Sequence, residues 1–261
     1  VDESYHTYLN RVAKLTLTAT YESQVKNIQE SPKFSLTEDG SRQPIDFPGY
    51  SVITPPRQED PNNKAFYAAL VACQQELSKH LESDLIVNVD RDSFHFTLAD
   101  LIWDSAFKIA VENDPKFEEK LRDRVADSFE LYAQSLPKDK PIRWQIMGLT
   151  IRPRAIEVSL VPKDEESYQR VLAFRRAIYQ SSSLIALGIE QQYYFTAHVT
   201  IAYFGNIDRE INRGNLIDTL QNYNMHWIDH PQEIIVSEAQ LRKFTNMSNY
   251  RREADWPTVS L

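Results

Sequence analysis

The sequence predicts an α+β protein of two related lobes, with extra helices at its N-terminal end. Three observations predict it. Helical and strand-like stretches alternate with short linkers and no low-complexity segment, which argues against independent domains on a tether. Two β-like runs, Asp92-Ser-Phe-His-Phe-Thr-Leu-Ala-Asp100 and Phe195-Thr-Ala-His-Val-Thr-Ile-Ala-Tyr203, carry the same His-x-Thr pattern about a hundred residues apart. Each run comes after a long helical stretch.

Taken in order, the elements read as follows. Tyr5, Tyr8, Leu9 and Val12 recur at helical spacing, and Tyr21, Val25 and Ile28 extend the pattern until Ser31-Pro32 stops it. This predicts a helical appendage over one side of the core. Residues 33–49 hold Gly40, Pro44, Pro48 and Gly49 with little periodicity and are predicted to loop. Residues 50–54 form a short strand ended by Pro55-Pro56. Pro61 opens a helix with Phe66, Leu70, Cys73, Leu77 and Leu81 on one stripe. Residues 85–89 are a strand, and Asp90-Arg91-Asp92 turn into the first motif.

A helix follows over 114–134, with Phe117, Leu121, Val125, Phe129 and Tyr132 inward and Pro137 and Pro141 bracketing its exit. Residues 142–151 and 155–161 pair as a hairpin around Arg152-Pro153-Arg154. A long helix over 165–187, striped by Val171, Phe174, Ile178 and Ile185, is capped by Gly188 and leads to the second motif. That motif ends at Gly205. A shorter helix over 209–220, a strand over 233–241 and an irregular tail complete the chain.

Composition narrows the function classes. The chain has 261 residues, 42% apolar and 25% charged, enough to bury a full core. No stretch approaches the roughly eighteen apolar residues of a membrane helix. The acidic start, Val1-Asp2-Glu3-Ser4-Tyr5, is not that of a signal peptide. A single cysteine, Cys73, allows no internal disulfide and fits a reducing, cytoplasmic setting, where it reads as an inert core thiol. The net charge of −8 argues against binding long duplex nucleic acid but leaves room for a small nucleotide in a locally basic cleft. With six glycines in all, there is no Walker loop, dinucleotide fingerprint or Gly-x-Ser-x-Gly elbow.

The two motifs carry the chemistry. Residues two apart on a strand share a face. His95 and Thr97 therefore share one face, opposite Phe94, Phe96 and Leu98. In the echo, His198 and Thr200 stand opposite Ala197, Val199 and Ile201. With six histidines, and Ser or Thr at roughly one position in eight, two His-x-Thr matches arise by chance about one time in six. The added weight is context: both matches lie in apolar strands, and His6, His80, His226 and His230 lack the pattern. Two imidazoles on opposite sides of a phosphodiester can act as general base and general acid, and the threonine hydroxyls can hold its non-bridging oxygens. No metal or other cofactor is required.

The runs Ser-Phe-His95-Phe-Thr97-Leu and Thr-Ala-His198-Val-Thr200-Ile resemble the paired motifs of the 2H phosphoesterase superfamily, which includes RNA 2′,5′-ligase-like proteins and plant cyclic nucleotide phosphodiesterases. The resemblance covers residues 48–245, leaving 1–47 as an N-terminal extension and 246–261 as a tail. Phe-Pro-Gly-Tyr-Ser-Val-Ile adds to the likeness, and Tyr-Leu-Asn-Arg-Val-Ala resembles a cyanobacterial branch. What the resemblance implies is a pseudo-twofold pair of antiparallel sheets around a water-filled cleft, with the motif strands central in each sheet. It also implies metal-independent phosphodiester chemistry, often on a 2′,3′-cyclic phosphate, in which His198 activates the nucleophile and His95 protonates the leaving oxygen.

Further candidates are Tyr203, Phe204, Tyr193 and Tyr194 to stack on a base, Tyr50 at the cleft border, and Arg143, Arg152 or Arg242 for a second phosphate. Asp100 and Asp104 lack the second converging acid of a paired-carboxylate hydrolase. His226 and His230 have a metal-like spacing, but Pro231, Asn222 and Asn224 place them in a surface loop. The partner expected is a small nucleotide or an RNA end, with no membrane; the oligomeric state is left open. The alternatives are a nucleotide- or RNA-binding module without turnover, and a ligase running the same chemistry in reverse.

Overall fold

The computed structural model describes residues 2–135, 140–208 and 210–261, so Pro137 and Arg209, expected at helix boundaries, lie outside the described residues. Helices α1 (Tyr5–Lys14) and α2 (Thr18–Gln24) come first, then a small hairpin of β1 (Phe34–Leu36) and β2 (Arg42–Pro44). The chain continues through β3 (Gly49–Ile53), α3 (Lys64–His80), β4 (Ile86–Asn88), β5 (Thr97–Trp103), α4 (Asp104–Asn113) and α5 (Phe117–Ser135). Next come β6 (Ile142–Ile151), β7 (Ala155–Pro162), α6 (Glu165–Tyr179), α7 (Ser182–Ile185), β8 (His198–Phe204) and α8 (Arg213–Asp229). Strands β9 (Glu233–Val236), β10 (Glu238–Asn246), β11 (Asn249–Arg251) and β12 (Thr258–Ser260) end the chain.

Two five-stranded antiparallel sheets make the lobes. The first has the order β11-β10-β3-β5, with β12 also beside β10; the second has the order β4-β8-β7-β6-β9. The lobes exchange strands. Strand β4, from the first half of the sequence, pairs with β8, while β10 to β12 return to the first lobe. The stretch expected as one strand over 233–241 is therefore two, split at Ser237 where the chain changes sheets. Both pieces are extended and apolar, so periodicity cannot show the change. The expected irregular tail supplies β11 and β12, three-residue strands too short to show alternation. Strand β5 is also an edge strand, not a central one, whereas β8 lies inside its sheet.

Other differences have local causes. Residues 33–49 form the β1–β2 hairpin, with Gly40 at φ +82° after Asp39, a residue pair suited to tight turns. Helix α4 was invisible to periodicity because only Phe107 of it is buried. The long helix over 165–187 breaks after Tyr179; Ser181 caps α7, and Gly188 follows at φ +81° as expected of a cap. Helix α8 runs on through His226 instead of ending near Leu220. Asn224, read as a loop former, is satisfied by the fold: its side chain accepts from Leu149 N–H at 2.7 Å and donates to the Tyr21 hydroxyl at 2.7 Å. Tertiary contact here overrides propensity.

Gly49 opens β3 where β5 crosses it closely. A Cβ there would sit 2.3 Å from the Ile102 carbonyl oxygen and 2.8 Å from the Trp103 Cα, both backbone atoms. Gly49→Ala is expected to destabilise the protein by about 1–3 kcal/mol, through forced displacement of β5. The denaturation midpoint in urea measures it.

Candidate active site

The alternation expected for both motifs holds in the burial pattern. Phe94, Phe96, Leu98, Ala197, Val199 and Ile201 are buried, while His95, Thr97, His198 and Thr200 are partly exposed. Those four side chains line one cavity of about 990 Å³ between the two sheets. The Ala99↔Val52 and Thr97↔Ile53 pairings leave Leu98 as an extra residue in β5, a β-bulge. Strand β8 repeats the device. Thr200 faces Glu157 and Ala202 faces Ile156, leaving Ile201 unpaired. Each bulge reverses the alternation after the threonine, turning the third residue beyond it toward the cavity: Asp100 in one lobe and Tyr203 in the other.

The imidazoles are held by mirrored contacts. His95 Nδ1 lies 2.6 Å from the Ser93 carbonyl oxygen and His198 Nδ1 lies 2.7 Å from that of Thr196, each two residues earlier. A carbonyl only accepts, so Nδ1 carries the hydrogen in both rings, and in the neutral form Nε2 keeps its lone pair. Nε2 of His198 stands 3.6 Å from Glu157 Oε1. His95 packs its ring 4.4 Å from the centre of the Tyr250 ring.

The electrostatics differ between the two lobes. Burial pulls His95 down to about 4, with the charges of His198 and Arg242 adding to the shift and the Ser93 carbonyl and Asp100 opposing it. Burial works against the Glu157 carboxylate, but the charges of His198, Arg152 and Lys33 outweigh it and hold Glu157 below the usual range. Asp100 accepts from Ser51 Oγ at 3.0 Å and from the Tyr193 hydroxyl.

Of the other residues expected at the site, Tyr203 lines the cavity, but its ring is nearly buried between Phe34 and Lys33, and its hydroxyl meets Met247 Sδ at 3.2 Å. Tyr193 and Tyr194 line the cavity and stay half-exposed, at 52% and 57%. Arg152 is at the cleft, bonded to Glu157 at 2.8 Å. Arg143 is not: it sits exposed on β6 where that strand pairs with β9. Arg242 is buried against Gln240 and Glu59, and Tyr50 is buried against Glu118; neither lines the cavity. Phe204 is core. Asp104 heads α4, outside the lining. His226 and His230 stack at 4.6 Å in and after the last turn of α8. Among the described residues no group of three or more His, Cys, Asp or Glu side chains could hold a metal ion.

Sequence reasoning missed Glu157, Lys33 and Tyr250, and set Asp100 aside. Glu157 had a signal, a lone carboxylate in the apolar run Ala155-Ile-Glu-Val-Ser-Leu. Asp100 needed the bulge, which alternation hides. Lys33 and Tyr250 arrive from the segments read as loop and tail.

The N-terminal helices are part of the site's support. The Tyr8 hydroxyl accepts from Ala197 N–H and donates to the Leu160 carbonyl, both at 2.9 Å. Arg11 donates to Thr196 Oγ1 at 2.7 Å and to the Phe195 carbonyl at 2.6 Å, with Glu3 pairing its other side. Helix α1 thus fixes the three residues before His198. Buried Arg175 of α6 donates to the Leu98 carbonyl at the β5 bulge and stacks 4.1 Å from the Phe195 ring centre, touching both motifs.

No family model matches the chain, and no curated protein matches it either. Among solved structures, a conserved protein of unknown function from Agrobacterium tumefaciens is similar at 14% identity and a TM-score of 0.55, covering 92% of this chain and 97% of that one. A Thermus thermophilus protein, TT0787, gives 16% identity and a TM-score of 0.46 over 81% of this chain and 94% of its own. E. coli LigT complexed with 3′-AMP gives 14% and 0.42 over 83% of this chain and 98% of its own. At TM-scores under 0.5 the last two likenesses carry no weight. What the first establishes is that this chain shares its two-lobed α+β fold, nearly end to end, with the Agrobacterium protein.

Proposed function

We propose that the chain is a phosphoesterase of the 2H type that cleaves a phosphodiester by two-histidine acid–base catalysis. The observation that carries this reading is the mirrored pair: two His-x-Thr segments on the walls of one cavity, the first leading into β5 and the second opening β8, each imidazole oriented by the carbonyl two residues before it. The substrate class is a small nucleotide or RNA end, with a 2′,3′-cyclic phosphate as the first to test. No feature of the fold or the comparisons supports the cyanobacterial branch.

The roles follow from the surroundings of each ring. His95, held neutral by burial, is the base that takes a proton from the attacking water through Nε2. His198, with the Glu157 carboxylate facing its Nε2, is the acid that protonates the leaving oxygen. This reverses the division that the family resemblance implies. Thr97 and Thr200 donate to the non-bridging oxygens as negative charge builds there. The half-exposed rings of Tyr193 and Tyr194 are placed to cover a base at the cleft mouth.

The assay is hydrolysis of adenosine and cytidine 2′,3′-cyclic phosphates and 2′,5′-linked dinucleotides in EDTA. Turnover of at least one supports the reading. Tight binding without turnover across the panel favours a binding module, and joining of 2′,3′-cyclic to 5′-hydroxyl ends without hydrolysis favours a ligase. Activity needs His95 unprotonated, so kcat/KM stays on its plateau below pH 6 and falls only as pH drops toward about 4. An acid limb near 6.5, the ordinary histidine value, would remove His95 as the base.

A further inference from the structure

One end of the cleft carries positive charge that its own carboxylates do not pair. Lys33, on the strap after α2, lays its ammonium 4.6 Å from the Phe47 ring centre and 5.2 Å from that of Tyr203. Arg154, in the β6–β7 turn, lines the same cavity. Strap and turn form one built rim. Gln29 N–H donates to the Pro153 carbonyl at 2.6 Å, Ser31 N–H to the Phe204 carbonyl at 2.9 Å, and Phe204 N–H to the Arg154 carbonyl at 3.0 Å.

Arg152 is committed to Glu157. Among the described residues, no carboxylate lies within the 4.0 Å of an ion pair from Lys33 or Arg154. Burial makes the Lys33 ammonium easier to deprotonate, and Arg154 pushes the same way; Asp100 and Glu157 oppose both from longer range. A desolvated cation beside a second cation is costly unless an anion joins them. In a chain of net charge −8, carboxylates to neutralise this rim were plentiful, yet among the described residues none forms an ion pair there.

We propose that Lys33 and Arg154 form a subsite for a second phosphate of the ligand, one nucleoside away from the phosphate held at His95 and His198. The proposal rests on the histidine pair holding a phosphate. Its spacing comes from β8: Tyr203, under Lys33, stands three residues beyond Thr200, roughly 7–10 Å along an extended strand. That span suits a ribose with phosphates on both sides better than a single phosphate. The ligand class is a nucleotide phosphorylated at the 2′ or 3′ position that also carries a 5′ phosphate, either terminal or joined to a preceding nucleotide.

The test is calorimetric binding of compounds without a cyclic phosphate, each checked by chromatography to be recovered intact: adenosine 3′-monophosphate, adenosine 3′,5′-bisphosphate and the dinucleotide ApAp. The wild-type chain is expected to bind the bisphosphate at least about tenfold more tightly than the monophosphate. Lys33→Met and Arg154→Ala should each shrink that advantage below about threefold while leaving monophosphate affinity within about twofold. ApAp sharing the advantage assigns the subsite to an internal RNA phosphate; ApAp lacking it assigns a terminal one. Equal wild-type affinity for the mono- and bisphosphate, or an advantage intact in both variants, overturns the subsite. Hydrolysis of the same panel of cyclic phosphates and 2′,5′-linked dinucleotides, followed in parallel, separates the two readings. Hydrolysis without the bisphosphate advantage removes the subsite alone, whereas the advantage without hydrolysis removes the catalytic role alone.

Discussion

His95→Ala and His198→Ala are each expected to lower kcat/KM on a hydrolysed cyclic nucleotide by about 10²–10⁴-fold, the usual contribution of a positioned acid or base. Both rings line the cleft and are only partly buried, so their removal opens the cavity without emptying the core. Folding should survive, and circular dichroism with an unchanged melting midpoint checks it. The losses should not add. Base and acid serve one proton relay, so the double variant is expected to be little worse than either single one. Full activity in both single variants would end the acid–base account whatever the substrate. Activity lost in one alone would leave a single-histidine mechanism.

Tyr8→Phe is the second large effect, and it acts on stability. The hydroxyl links Ala197 N–H to the Leu160 carbonyl at a site with no solvent exposure. Removing it leaves a buried N–H without a partner and drops a second bond, an expected loss of about 1–3 kcal/mol. The effect should reach the chemistry, because Ala197 joins Thr196, whose carbonyl orients His198, to His198 itself. Equilibrium urea unfolding measures the first part. The second should appear as a lower kcat at permissive temperature with little change in KM. A stability change under about 0.3 kcal/mol would show that α1 is an appendage after all.

That contrast shows how far residues alone reveal this molecule. The helical stripes of α3, α5 and α6 and the β6–β7 hairpin were legible because each is long and buries one continuous face. The histidine pair was legible because a polar His/Thr face on an apolar strand is conspicuous at a period of two. The rest depends on contacts between distant segments. A bulge at Leu98 or Ile201 leaves no trace in alternation until the partner strand is known, yet it brings Asp100 and Tyr203 to the cavity. The change of sheet at Ser237 is silent for the same reason. Arg143 and Arg152 look alike in sequence, and only the register of β6 against β7 and β9 separates the exposed one from the one at the cleft. Lys33 sits in a stretch without periodicity, so its place on Tyr203 follows from the strap's backbone bonds to β8.

The central claim is that His95 and His198 address one phosphate. The most direct measurement follows the ring protons of both histidines by NMR, assigned through the two alanine variants, while inorganic phosphate is titrated at pH 7 in EDTA. Both sets of resonances are expected to shift along curves with a single dissociation constant, and either alanine substitution should weaken that constant. Resonances that move with different constants, or a histidine that does not respond while the other saturates, would contradict the claim.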